Sequence, residues 1–243
     1  DVKLYTKLKY PLPENIIEHS TKLKYPLPEN IIEHSIEIAK KARWFHIGEI
    51  PQNGKEIIIV LHGYGQHPAY MLNGLRELER EGRSICAPEG LSRFYVKGFD
   101  GKIGASWMTR DDRASEINDH LTYLNQWWSG LDIDESVSVT LIGFSQGVAT
   151  AARWLDDGMT VDKVIFSSGT LPVEWKQQKP RLDKQISEIH IVRPKDDEYY
   201  SLDIHEKEVK DLRELGFNVM SHKPNGTHKL SSAVIEEILQ ENK

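Results

Sequence analysis

Residues Glu56–Leu61 read EIIIVL. A run this short and this apolar suits a strand buried on both faces of a parallel sheet, because a strand with one wet face would alternate polar and apolar residues. The rest of the chain repeats the theme of strand followed by helix. Pro68–Glu81 has helical spacing, with Met71, Leu75 and Leu78 on one side, and Ser84–Ala87 is a short strand. Arg113–Trp128 places Ile117, Leu121 and Leu124 at a spacing near 3.6 residues. Val137–Ile142, Val164–Ser167, Glu188–Val192 and Asn218–His222 read as strands. Gln146–Leu155, Leu202–Leu215 (stopped by Gly216) and Ser231–Gln240 (capped by Ser232 or a neighbour) read as helices. Such alternation predicts an α/β fold: a mostly parallel central sheet with helices on both faces and right-handed crossovers. Upstream, Ser35–Ala39 and Ala42–Gly48 read as two more strands, and Asn53-Gly54 as a turn.

The bulk numbers bound the answer further. At 243 residues and 39% hydrophobic content, one domain with a sizeable core is expected. It should run from residue 36 to 243, since no Pro/Ser-rich linker divides that stretch. A net charge of −6 argues against electrostatic capture of nucleic acid, and no run approaches the roughly 18 apolar residues of a membrane span. The single cysteine, Cys86, allows no intrachain disulfide, which fits a reducing compartment. A cytoplasmic location is therefore expected, with a removed signal peptide left open. Residues 1–35 form an N-terminal extension in which Thr6–Ser20 and Thr21–Ser35 are the same fifteen letters, TKLKYPLPENIIEHS. Only one copy can dock natively, so the spare is expected to be loose or to swap onto a second chain as a homodimer.

Gly143-Phe144-Ser145-Gln146-Gly147 lies between the strand Val137–Ile142 and the helix that follows it. A serine on a sharp strand-to-helix turn needs small residues two positions to either side. The turn lifts its hydroxyl clear of the sheet and sets it at a helix N-terminus. Ser145 is therefore the candidate nucleophile, and the bland alternative is a serine helix cap between glycines. After the earlier strand comes Leu61-His62-Gly63-Tyr64-Gly65-Gln66, a glycine loop able to turn a backbone N–H toward a developing oxyanion. The second donor would be the N–H of Gln146. His62 and His67 make a weak metal signal, because no carboxylate or cysteine cluster accompanies them. Pro88–Asp112 has weak periodicity, yet Phe94, Tyr95, Phe99, Trp107 and Met108 predict a folded loop lining a pocket.

HGYGQ after a buried strand, a downstream SWMT segment and GFSQG together resemble the phospholipase/carboxylesterase family, which includes acyl-protein thioesterases. The resemblance covers roughly Ala42 to the C-terminus. It implies an α/β-hydrolase with a Ser–His–Asp triad, no metal and no organic cofactor. It also implies hydrolysis of small-molecule carboxylic esters or acyl thioesters through an acyl-enzyme. By the same resemblance Tyr64 and Gln146 supply the oxyanion N–H groups, and Trp107, with Met108 beside it, lines the acyl pocket. The chain departs from the pattern at Val148, where the family often has a second glycine, and at Arg193-Pro194, where it has glycine before the acid.

In this fold the acid follows a strand, and the base follows the last strand. Asp196 and Asp197 both follow Glu188–Val192. With Pro194 in the place of the family's glycine, the resemblance favours Asp197. His228, in Asn225-Gly226-Thr227-His228 after the last strand, is the expected base. His222 inside that strand reads as structural, and His205 on a helix as solvated. Asp111-Asp112-Arg113 reads as a helix cap, Cys86 as core, and Gly98–Lys102 lacks the spacing of a phosphate loop. No amphipathic lid is visible, so short to medium acyl groups are expected. Another hydrolase on the same fold, a lipase or peptidase, is the nearest alternative. A non-catalytic protein that binds acylated ligands is the alternative of a different class.

Overall fold

A computed structural model describes residues 30–50, 55–177, 180, 186 and 188–240. Seven strands form one sheet: β1 (Trp44–Ile47), β2 (Glu56–Leu61), β3 (Arg83–Pro88), β6 (Ser138–Phe144), β7 (Lys163–Ser167), β8 (Glu188–Val192) and β9 (Val219–His222). Their spatial order is β1-β3-β2-β6-β7-β8-β9. Only β1 runs antiparallel, pairing Trp44 with Pro88 and Ile47 with Ile85. At the centre, β2 and β6 pair in parallel from Glu56↔Ser138 to Leu61↔Gly143.

The apolar run of β2 is buried on both faces. Ile57, Ile59 and Leu61 enter one core with Leu141, Val164 and Ile191, while Ile58 and Val60 enter a second core with Ile142, Ile165 and Val192. Helices cover each face: α1 (Pro68–Gly74) and α6 (Ser232–Gln240) lie on the second core. Helices α2 (Arg113–Gly130), α3 (Gln146–Asp156) and α5 (Leu202–Glu214) lie on the first. A short helix, α4 (Val173–Gln177), follows β7.

Four sequence expectations change. The helix expected over Pro68–Glu81 stops at Gly74, and a single 3₁₀ turn at Arg76–Leu78 follows it. Ser35–Ala39 is not a strand: Ile36 and Ile38 are 86% and 78% exposed, so their alternation meets no surface to bury against. Pro88–Asp112 is not irregular throughout, since β4 (Ser92–Tyr95) and β5 (Ile103–Ser106) pair as an antiparallel hairpin. Asp112 stands at the N-cap of α2 in a left-handed conformation, but its carboxylate accepts from the Ser115 hydroxyl instead of a backbone N–H. The first repeat copy and most of the second lie outside the described residues, and with them the expectation of swapping. Residues 30–42, the end of the extension and the first residues after it, run exposed and without regular structure. Among the described residues no helix is long and apolar enough to cross a membrane.

Candidate active site

Ser145 follows the central strand β6 and precedes α3 with φ 52 and ψ −116, a backbone conformation that is strained for a residue with a side chain. The turn is possible because its flanks are glycine. A Cβ on Gly143 would stand 2.7 Å from the Gly147 carbonyl oxygen and from Val148 Cα. One on Gly147 would drive into the Leu61 carbonyl oxygen. Ser145 N–H donates to the Ser167 carbonyl at 2.9 Å, which ties the turn to β7. Val148 is buried beneath the turn and packs against the chain at Gly169.

The structure brings Ser145, His228 and Asp197 together from three loops at the C-terminal edge of the sheet. His228 Nε2 lies 3.1 Å from Ser145 Oγ, and His228 Nδ1 lies 3.0 Å from Asp197 Oδ2. With Nδ1–H donating to Asp197, Nε2 is left as the acceptor that faces Ser145. Asp197 also accepts the N–H groups of Tyr199 and Tyr200, at 3.0 and 3.1 Å. Burial pushes its carboxyl upward, but the hydrogen bonds from His228 and the Tyr199 N–H outweigh this and hold it below its ordinary value. Asp196 is exposed and contributes its N–H to the Gly226 carbonyl at 3.0 Å, so it braces the His228 loop without meeting the imidazole. Glu198 accepts the His228 N–H at 3.1 Å. The imidazole is flanked by Phe144, Tyr199 and Tyr200, with ring centroids 5.0, 4.7 and 5.9 Å away.

On the other side of Ser145 lies the glycine loop. A Cβ on Gly63 would be 3.0 Å from Ser145 Cβ, so this loop touches the Ser145 turn directly. Gly63 N–H donates to Gln66 Oε1 at 2.8 Å. Two bonds, Gly65 N–H to the Ala105 carbonyl at 2.9 Å and Ala105 N–H to the Gln66 carbonyl at 3.0 Å, bind the loop to the hairpin. The N–H groups of Tyr64 and Gln146 meet no acceptor among the described residues. Beneath, His62 is fully buried. Its Nε2 accepts from Gly90 N–H at 3.0 Å, so the proton sits on Nδ1 and is donated to the Gly63 carbonyl at 2.8 Å. Both ring nitrogens are thereby engaged and neither is free for a metal. His67 Nδ1 accepts from Ala69 N–H at the start of α1.

Trp107 does not line an open pocket. It has no exposed surface, its Nε1–H donates to the His62 carbonyl at 2.8 Å, and its ring lies 4.9 Å from the His62 ring. Its role in the structure is a strut that sets the height of the glycine loop, because β5 feeds it straight into the core. Met108 is partly exposed, and its carbonyl accepts from Gln146 Nε2 at 2.7 Å. Gln146 Oε1 accepts the Trp107 N–H at 3.0 Å, so one side chain holds the whole Trp107–Met108 segment. That bracing role, like the aromatic wall of Tyr199 and Tyr200, went unread in the sequence, although both follow directly on residues singled out there. His205, expected to be solvated, is buried, with Nε2 2.7 Å from Ser221 Oγ. It shares the inner face of α5 with Glu208, Val209 and Leu212, a helical spacing that could have revealed it. His222 meets His190 Nδ1 at 3.0 Å inside the sheet. Cys86 is buried in β3, and burial pushes its thiol up to about 12. A cavity of about 310 Å³ lies beside the loop that holds His228, lined by Thr227, Lys229, Leu230, Val234, Ile165 and Val192 among others; neither Trp107 nor Met108 lines it.

No model of a known protein family matches the chain, and no curated protein sequence matches it. Solved structures do. Acyl-protein thioesterase 2 of Zea mays superposes with a TM-score of 0.64 at 17% identity, over 82% of this chain and 96% of that one. Esterase PE8 gives 0.62 at 18% identity, over 82% of this chain and 100% of that one. A carboxylesterase of Bacillus cereus gives 0.57 at 18% identity, over 81% and 91%. The chain has the α/β-hydrolase fold. In an α/β-hydrolase the turn after the central strand, the loop after an earlier strand and the loops after the last two strands converge at one edge of the sheet, where Ser145, Tyr64, Asp197 and His228 stand here.

Proposed function

We propose that this chain is a serine esterase that hydrolyses carboxylic esters or acyl thioesters of short to medium acyl chains through an acyl-enzyme. The observation that carries the reading is the hydrogen-bonded line Ser145–His228–Asp197 on a strained turn, with two unengaged backbone N–H groups beside it. The names of the structurally similar proteins agree with it.

His228 Nε2 takes the Ser145 proton as Oγ attacks the substrate carbonyl carbon. Buried and held ionised, Asp197 keeps the imidazole in the tautomer required and stabilises its cationic form. Charge developing on the carbonyl oxygen is received by the Tyr64 and Gln146 N–H groups; losing one such donor typically costs about 3 kcal/mol of barrier. The proton then passes from His228 to the leaving atom, and water, activated by His228, releases the acid from Ser145. Trp107, His62 and the Gln146 side chain hold the glycine loop and the helix start in register, so both donors are set before substrate arrives.

The test is turnover of p-nitrophenyl esters from acetate to dodecanoate, beside an acyl thioester, with Ser145→Ala as control. Turnover that vanishes in the variant supports the reading, and full activity in the variant ends it. A lipase or peptidase preference would appear in the substrate profile, with the same serine dependence.

A further inference from the structure

Tyr200 stands three residues past Asp197 and is half-buried. Its N–H is fastened to Asp197 Oδ1 at 3.1 Å. The Arg193 guanidinium carbon lies 4.9 Å from its ring centroid, and the His228 ring 5.9 Å. Arg193 is itself fully buried, donating to the Gly169 carbonyl at 2.8 Å and to Glu208 at 3.4 Å. Glu208 accepts in turn from Leu171 N–H at 2.9 Å. The phenol therefore rests on a platform built from the ends of β7 and β8 and from α5. Its hydroxyl lies on the side of the Ser145 side chain. Burial raises its pKa above the ordinary phenol value, with Arg193 pulling against it, so the group is a protonated donor at neutral pH.

The position beside both Ser145 and His228 has a chemical meaning. In a Ser–His hydrolase the histidine delivers its proton to the leaving atom, so that atom lies next to Nε2, away from the oxyanion donors. Tyr64 and Gln146 present their N–H groups on the glycine-loop side, whereas Tyr200 flanks the imidazole. We propose that Tyr200 is a further catalytic residue, whose O–H donates a hydrogen bond to the leaving oxygen of an ester as it departs. This rests on the reading of Ser145 as nucleophile. In the step, the bond from the acyl carbon to the leaving oxygen breaks, the bond to Ser145 Oγ persists, and the proton on His228 Nε2 moves to the leaving oxygen. Tyr200 keeps its own proton. Sulfur accepts hydrogen bonds weakly, so the device selects oxygen esters of poorly leaving alcohols over thioesters.

Tyr200→Phe removes the O–H and keeps the ring against Arg193 and His228. The experiment compares kcat/KM of the wild type and Y200F on the p-nitrophenyl, phenyl and ethyl esters of one acid, with its ethyl thioester, and labels both proteins with a fluorophosphonate. The expected loss grows from about twofold or less for p-nitrophenyl to on the order of tenfold for the ethyl ester, and is smaller for the thioester than for the ethyl ester. An equal loss on every substrate, or none, overturns the proposal while labelled Ser145 leaves the nucleophile standing. A wild type that takes no label removes the nucleophile and this proposal with it.

Discussion

His62 gives the fold a defined weakness to acid. The ring is fully buried under the glycine loop, with Nε2 accepting from Gly90 and Nδ1–H donating to Gly63. A second proton on Nε2 would break the Gly90 bond and place a charge in the core. Burial accordingly lowers its pKa from 6.5 to about 4, against the pull of the Gly63 carbonyl. The unfolded chain, with an ordinary histidine, binds this proton near pH 6.5; the folded chain resists until about 4. Between those values the unfolded state holds more protons, so stability rises with pH through the window and is lost as pH falls. The His62 contribution is almost fully present at pH 7, and about 2 kcal/mol of it is gone at pH 5. His120, lowered to about 4 chiefly by burial, adds a slope of the same sign. Comparison with His62→Asn cancels that background. Urea unfolding followed by tryptophan fluorescence should show the stability advantage of wild type over the variant shrinking by about 2 kcal/mol from pH 7 to pH 5. An advantage that is the same at both pH values would refute the argument.

Three other outcomes are expected. Asp197→Asn should fold normally, since the amide fits the same space, yet lose on the order of 10³- to 10⁴-fold in kcat because the imidazole tautomer is no longer held; steady-state ester hydrolysis with circular dichroism as a folding control checks it. Gly147→Ala should cost about 3 kcal/mol or fail to fold, because the new Cβ drives into the Leu61 carbonyl of the neighbouring strand, where only backbone can yield; the urea midpoint measures it. Cys86, buried and with its thiol pushed up to about 12, should ignore Ellman's reagent in the native state and react with one equivalent after denaturation.

The parts of this molecule that could be read from the sequence are those whose signal is local. EIIIVL announces a strand buried on both faces because no polar residue interrupts it, and β2 occupies those six positions. GFSQG needs a strand before it and a helix after it, and β6 and α3 supply them. The loop position of His228 was readable because the turn residues around it mark a loop just past the last strand. Where the deciding partner lies far along the chain, reading fails. The hairpin of β4 and β5 is made of two four-residue strands joined by a glycine-rich turn, too short to show alternation. Ile36 and Ile38 alternate as a strand should, but exposure depends on whether a sheet edge is offered to them, and none is. Trp107 looked like a pocket wall because its segment resembles one. What buries it is the His62 carbonyl, 45 positions away. Between Asp196 and Asp197 only the family resemblance favoured the second, because the partner that separates them, His228, lies 31 positions from Asp197.

The central claim is that Ser145 is an activated nucleophile, and covalent labelling tests it most directly. The full chain would be treated with a fluorophosphonate and digested, and the modified residue found by mass spectrometry, with His228→Ala and Ser145→Ala in parallel. The account predicts a single adduct on the peptide holding Gly143–Gly147, strongly slowed in the first variant and missing in the second. An unmodified wild type, or an adduct on any other residue, would contradict it.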